Sequence, residues 1–138
     1  MSDIHAPPPA KAPLKAHVLL VEDDVDGADA IRQYLEFRGY QVSVSGTAED
    51  ALQRCLGQGG ALLAEPPPFK VVITDLHLPG IRGEELAQRL QRQMTPCPRL
   101  IAISGEHGPA QAPFDARLPK PCRPKQLIAT IESLLAAP

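Results

Sequence analysis

Several short apolar runs in this chain lead into a residue that can do chemistry. Residues 18–21, VLLV, are followed by Glu22-Asp23-Asp24, and Val71, Val72 and Ile73 lead through Thr74 to Asp75. The run RLIAIS (99–104) ends in Ser104, and DARLP (115–119) leads into Lys120. An ionised carboxylate is costly to bury, so Asp75 at the end of a buried run needs something to offset its charge. If these run ends converge, three or four carboxylates meet one hydroxyl and one ammonium. Clustered carboxylates repel, and a hard divalent cation among them makes the arrangement tolerable. Mg2+ suits such a set, because it takes oxygen ligands and leaves positions for water and a substrate phosphate. A carboxylate held at that ion can attack phosphorus and form an aspartyl phosphate. The ammonium and the hydroxyl then stabilise the equatorial oxygens of the transferred group. Asp75 is thus the expected phosphoryl acceptor, with Lys120 and Ser104 beside it.

Convergence of this kind needs a scaffold that brings separate run ends to one edge, and the chain alternates accordingly. HVLLVE (17–22) reads as a strand, and residues 25–38 as a helix with Ala28, Ile31 and Leu35 at helical spacing and Gly39 as its stop. YQVSVS (40–45) alternates as an edge or half-buried strand would. Thr47 is placed to cap a helix whose buried face is Ala48, Ala51, Leu52, Cys55 and Leu56, with Asp50 as the far member of a weak capping box. GQGGALLAEPPPF reads as a loop. KVVITD is a third strand, Leu86 and Leu90 mark a helix near 82–93, and RLIAIS is a fourth strand. DARLP is a weak fifth strand, and Leu127, Ile131, Leu134 and Leu135 mark a last helix. Strands alternating with helices imply an α/β fold, a parallel sheet with helices on both faces. In such sheets ligands gather beyond the carboxyl ends of the strands, at the topological switch point.

Length and composition narrow the function classes. A chain of 138 residues is one ordinary domain that buries roughly 70% of its unfolded surface. Its 14 basic and 16 acidic side chains, with no Trp, argue against a nucleic-acid binder. Cys55, Cys97 and Cys122 are odd in number and lack C-x-x-C spacing, which disfavours a disulfide framework or a zinc site and favours a reducing cytosol. No run approaches the length of a membrane span, and the N-terminus lacks the apolar core of a signal peptide. The expectation is a cytoplasmic protein with no membrane partner. The sixteen prolines cluster, and APPPAKAP (6–13) predicts an extended, flexible Pro-rich tail over 1–15 ahead of a folded domain over 16–138.

VLLVEDD, VVITDLHLPG, IAISG and LPKP, in this order, resemble the motifs of the response regulator receiver domain of two-component phosphorelays. The resemblance covers residues 17 to about 135. It implies a flavodoxin-like, doubly wound five-stranded sheet of order 2-1-3-4-5. By it, Asp75 is the phosphoacceptor, Asp23 binds Mg2+ directly, Glu22 binds it through water, and the backbone carbonyl of His77 is a further ligand. Ser104 becomes the switch hydroxyl and Lys120 the phosphate-binding lysine, aimed by a cis peptide to Pro121. The implied phosphate donor is a histidine kinase or a histidine phosphotransfer protein. The chain would catalyse only its own phosphorylation and dephosphorylation, and would signal by changing shape to an effector protein or a fused domain. It leaves no room for a DNA-binding output domain of its own.

Other readings stand beside these. Asp24 fits an N-cap better than a ligand, and Glu84 and Glu85 suit a helix N-terminus electrostatically. His77 lacks partners at metal-ligand spacing, so its side chain is expected in solvent; His5, His17 and His107 lack that spacing too. Cys122 reads as packing. The main rival function is a pseudo-receiver, a binding module that is never phosphorylated. An aspartyl phosphohydrolase would need a second Asp two residues after Asp75, where His77 stands. A nucleotide-binding enzyme would need a G-K-[ST] motif that the glycine-rich loop lacks.

Two departures from the family pattern carry weight. Arg117 occupies a place that is often Tyr or Phe and turns inward on activation; FDARLPKP instead resembles receivers attached to hybrid sensor kinases, where a polar residue can stand there. Between Ser104 and Lys120, Gly105, Gly108, Pro109 and Pro113 interrupt any helix, because proline removes a donor and clashes with the preceding turn. The fourth helix of a receiver is therefore expected to be absent or about one turn long, opened by Pro109.

Overall fold

The computed structural model describes residues 15–57, 69–105 and 111–137. Five strands, β1 (His17–Val21), β2 (Gln41–Ser45), β3 (Val71–Asp75), β4 (Arg99–Ser104) and β5 (Ala116–Pro119), alternate with helices. The helices are α1 (Val25–Phe37), α2 (Ala48–Leu56), α3 (Gly83–Gln93) and α4 (Pro124–Ala136). Every strand pair is parallel, in the order β2-β1-β3-β4-β5, which is the order that the resemblance implies.

The alternation of side chains along the strands builds two apolar layers. Val18, Leu20, Val71, Ile73, Ile101 and Ile103 pack with Ala28 and Leu35 of α1 and with Leu127, Ile128 and Ile131 of α4. Leu19, Val21, Val72 and Leu100 face the other way, onto Ala51, Leu52 and Cys55 of α2 and Leu86 and Leu90 of α3. With both faces covered, β1, β3 and β4 must be apolar throughout. β2, at the sheet edge, is only partly buried over Val42–Val44, and Ser45 at its end is buried.

Local signals set the helix ends. The Asp24 carboxylate accepts from the Gly27 N–H at 3.2 Å and caps α1. Gly39 follows its last turn at φ 98°, a left-handed conformation that costs glycine little. Thr47 Oγ1 accepts from the Asp50 N–H at 3.0 Å. The reciprocal half of the capping box is not made: Asp50 is shorter than Glu by one methylene, and its carboxylate accepts from Ser45 Oγ at 2.7 Å and Arg54 Nε at 3.0 Å.

Some boundaries differ from the sequence expectations. β1 stops at Val21, one residue before Glu22, although the Glu22 N–H still donates to the Ser45 carbonyl at 3.0 Å. Asp115 lies outside β5, because its carboxylate accepts from the Leu100 N–H at 2.8 Å and serves β4 instead. Among the described residues between β4 and β5 no helix occurs. Residues 111–114 form a turn closed by the Phe114 N–H to the Gln111 carbonyl at 2.9 Å. Residues 106–110, which include His107 and Pro109, lie outside the described residues. So do His5, the Pro66-Pro67-Pro68 triplet and residues 1–14 of the expected tail. Lys15, at the end of that tail, donates its N–H to the Gly39 carbonyl at 3.0 Å, and its ammonium lies 5.4 Å from the centroid of the Tyr40 ring.

Candidate acidic site at the carboxyl edge

β1 lies between β2 and β3, so the chain leaves its carboxyl end at the point where strand order reverses. That is the crevice position of an open α/β sheet. The register sets Val21 beside Thr74, which carries Glu22 to the level of Asp75. On the other side it sets Asp75 beside Ile103 and Ser104 beside Pro119.

Asp75 is 3% exposed, and both of its carboxylate oxygens are engaged. Oδ1 accepts from the His77 N–H at 2.9 Å, and Oδ2 accepts from Lys120 Nζ at 2.5 Å. The same ammonium lies 3.8 Å from Glu22 Oε1. Carboxylate oxygens of Glu22, Asp23 and Asp75 all lie within 4.8 Å of one another. Three carboxylates against the one ammonium leave an excess of two negative charges. Burial pushes the Glu22 carboxyl above its usual range, the neighbouring Asp75 charge adds to this, and the Asp24 N–H on Oε2 opposes it. For Lys120, burial acts to lower the ammonium's pKa. The hydrogen bond to Asp75 and the charges of Glu22, Asp75 and Asp23 outweigh it and hold the pKa above its usual value.

Lys120 is positioned by its backbone as well. Its N–H donates to the Ser104 carbonyl at 2.9 Å, and its peptide bond to Pro121 is cis, as the resemblance implies. Ser104 itself is fully buried, and its Oγ accepts from Arg117 Nη2 at 3.2 Å. Beside the site runs a cleft of about 570 Å³, lined by Glu22, Asp24, Ile31, Lys120 and Cys122 among others. Burial holds the Cys122 thiol at about 11, which fits the packing role expected of it.

The fold therefore brings Glu22, Asp23, Asp75 and Lys120 together and sets Ser104 at the next strand end. His77 contributes its backbone N–H, and its side chain is exposed. Asp24 is the α1 cap, and Glu84 and Glu85 occupy the first turn of α3. Two supporting residues escape the sequence reading. Thr74 Oγ1 donates to the Asp75 carbonyl at 2.9 Å. Gly83, the first residue of α3, lies so near β3 that a Cβ on it would sit 2.5 Å from the Asp75 carbonyl oxygen. The available signal is a glycine opening a helix whose N-cap, Arg82, makes no side-chain cap bond.

The family profile of the response regulator receiver domain matches residues 18–132. The chain belongs to this family. Among curated relatives of the receiver, the response regulator SaeR of Staphylococcus aureus is 27% identical over 124 residues, which are 86% of this chain and 50% of SaeR. The receiver thus spans about half the length of the curated relatives it matches. A CheY-like receiver domain from Methylobacillus flagellatus superposes with a TM-score of 0.72 at 27% identity, over 86% of this chain and 98% of its own. The non-phosphorylated HemR receiver domain of Leptospira biflexa has the same fold, with a TM-score of 0.72 at 24% identity over 90% and 97% of the two chains. Receiver domains typically bind Mg2+, and the oxygen-only donor set of Glu22, Asp23 and Asp75, with its excess negative charge, fits a hard divalent cation. Among the described residues no helix is long and apolar enough to cross a membrane.

Proposed function

We propose that this receiver accepts a phosphoryl group on Asp75 in a Mg2+-dependent reaction, from a histidine kinase or a histidine phosphotransfer protein, and signals by changing shape. The observation that carries this reading is the pairing of a buried Asp75 with Lys120 Nζ at 2.5 Å, inside a cluster with an uncompensated charge of two. Asp23 and Asp75 would hold the ion directly, Glu22 through water, and the His77 carbonyl would be a further ligand. When bound, Mg2+ neutralises the carboxylates and draws in the incoming phosphoryl oxygens.

The chain's own residues supply the rest. A carboxylate oxygen of Asp75 forms a bond to phosphorus as the bond from phosphorus to the donor's imidazole nitrogen breaks, the electron pair staying on that nitrogen. The His77 N–H keeps the carboxylate oriented, so little reorganisation is needed. Lys120 exchanges its contact with the carboxylate for one with an equatorial phosphoryl oxygen, and Ser104 donates to another. This is catalysis by the chain on itself, reversed by hydrolysis, with the effector being a separate protein or a fused domain in the cytoplasm. The test is incubation with acetyl phosphate and Mg2+ followed by intact-mass measurement. A gain of one phosphoryl group, abolished in Asp75→Ala and by chelation, is the expected result. An unchanged mass would instead identify a binding module that is never phosphorylated.

A further inference from the structure

Arg117 stands on β5 where receivers often carry an aromatic residue, and its guanidinium reaches the hydroxyl at the end of the next strand. β5 pairs with β4 so that Ala102 faces Arg117 and Ser104 faces Pro119. The arginine therefore lies two residues short of the level of Ser104, and its long side chain covers the distance, Nη2 donating to Ser104 Oγ at 3.2 Å. Arg117 also lines a cleft of about 190 Å³ with Leu76, Glu84, Gln88 and Phe114 among others.

The chemistry of the pair sets a direction. A guanidinium has five donors and no acceptor, whereas a hydroxyl has one donor and two lone pairs. Ser104 can therefore only accept from Arg117, and its proton is turned away from the guanidinium. β4 lies between β5 and β3, so Ser104 stands between Arg117 and the strand that ends in Asp75. A hydroxyl that accepts a charge-assisted hydrogen bond is also polarised into a stronger donor. A phenylalanine in this place could do neither, and a tyrosine would bring only a neutral donor.

We infer that Arg117 is a positioning residue for the phosphoryl site: its hydrogen bond holds the Ser104 hydroxyl in place at the end of β4, beside the group carried on Asp75. This rests on the reading of Asp75 as phosphoacceptor. It also separates this chain from a receiver with an aromatic ring in this place, since here a guanidinium contacts the hydroxyl directly.

The test is a double-mutant cycle read by the affinity for beryllofluoride, a phosphoryl mimic, with Mg2+ present, in an NMR titration. Melting curves establish that each variant is folded. Arg117→Met keeps the aliphatic stem and removes the donor, and should weaken mimic binding about five-fold, the worth of one hydrogen bond. Arg117→Lys, which keeps a charged donor, should recover most of that loss. In a Ser104→Ala background the Arg117→Met change should have no further effect, because the hydroxyl through which it acts is gone. Unchanged or tighter binding in Arg117→Met would overturn the inference, as would an equal loss in the Ser104→Ala background; in either case phosphorylation of Asp75 in the parent would still stand. If the parent neither binds the mimic nor gains a phosphoryl group, the reading of Asp75 fails and the role of Arg117 fails with it.

Discussion

Glu22 and Lys120 respond to the same buried Asp75 in ways that pH can separate. Burial raises the Glu22 pKa above its usual value of 4.5, so the folded chain holds this proton more tightly than the unfolded chain does. The stabilisation it gives is complete below about 4.5 and is lost as pH climbs through the folded value. At neutral pH the ionised side chain therefore costs stability, and only a cation among the carboxylates returns it. Glu22→Gln removes that cost. In chelator at pH 7 the variant should melt above the parent, and the difference should vanish as the pH falls below about 4. With Mg2+ added the parent should gain more than the variant. A variant that melts below the parent in chelator would show that Glu22 is held by favourable contacts and not strained by its burial. The raised pKa of Lys120 has the opposite consequence at neutral pH: its stabilisation is fully present below the usual 10.5 and is lost only as the pH rises through its higher folded value.

The elements around the site are joined to it by backbone, and three substitutions probe how fold and chemistry are linked there. α3 begins against the end of β3, with the Gly83 N–H donating to the Leu76 carbonyl at 3.3 Å. A methyl group at Gly83 meets the Asp75 carbonyl oxygen and Leu76, and either α3 or the Asp75 loop must shift. Overpacking of this kind costs about 1–3 kcal/mol, against roughly 1 kcal/mol that alanine gains over glycine inside a helix. Gly83→Ala should thus lower the unfolding free energy in urea by about 1 kcal/mol and slow phosphorylation by acetyl phosphate. Gly46→Ala, where a Cβ meets nothing within 4 Å, should leave both unchanged. At α1 the side chain of Asp24 caps the helix, so Asp24→Ala should cost about 1 kcal/mol of stability. Because the backbone N–H of Asp24, which donates to Glu22 Oε2, survives the change, Mg2+ affinity measured by calorimetry should stay near that of the parent. A large loss of affinity would make Asp24 a ligand and refute its reading as a cap.

The two packed layers make the molecule one cooperative unit, so occupancy of the acidic edge must register in its global stability. A cation that binds only the folded chain adds about 2.7 kcal/mol at one hundred times its Kd, or roughly 10 °C in Tm for a domain of this size. Mg2+ should produce a rise of this order in the parent and little in Asp23→Asn, whereas Ser104→Ala should respond as the parent does. An Asp23→Asn variant that gains as much as the parent would remove Asp23 from the site.

Sequence alone determined the element order, the helix caps at Asp24 and Thr47, and the chemical inventory of Asp75, Lys120, Ser104 and the acidic pair. These features are local: capping needs a side-chain oxygen three residues from an orphan N–H, and strands covered on both faces must read as continuous apolar runs. The parallel alternation even placed the chemistry at one edge, because every strand of such a sheet points the same way. Tertiary structure decided what no local rule reaches. The fit of Gly83 against the Asp75 carbonyl depends on how closely α3 approaches β3, a distance that helix propensity does not encode. Asp115 was drawn out of β5 by the Leu100 N–H on a strand fifteen residues away. Arg117 read in sequence only as a departure from a pattern; the register of β5 on β4 turned it into a donor to Ser104, because the reach of a side chain is set by the strand pairing and not by its neighbours in the chain.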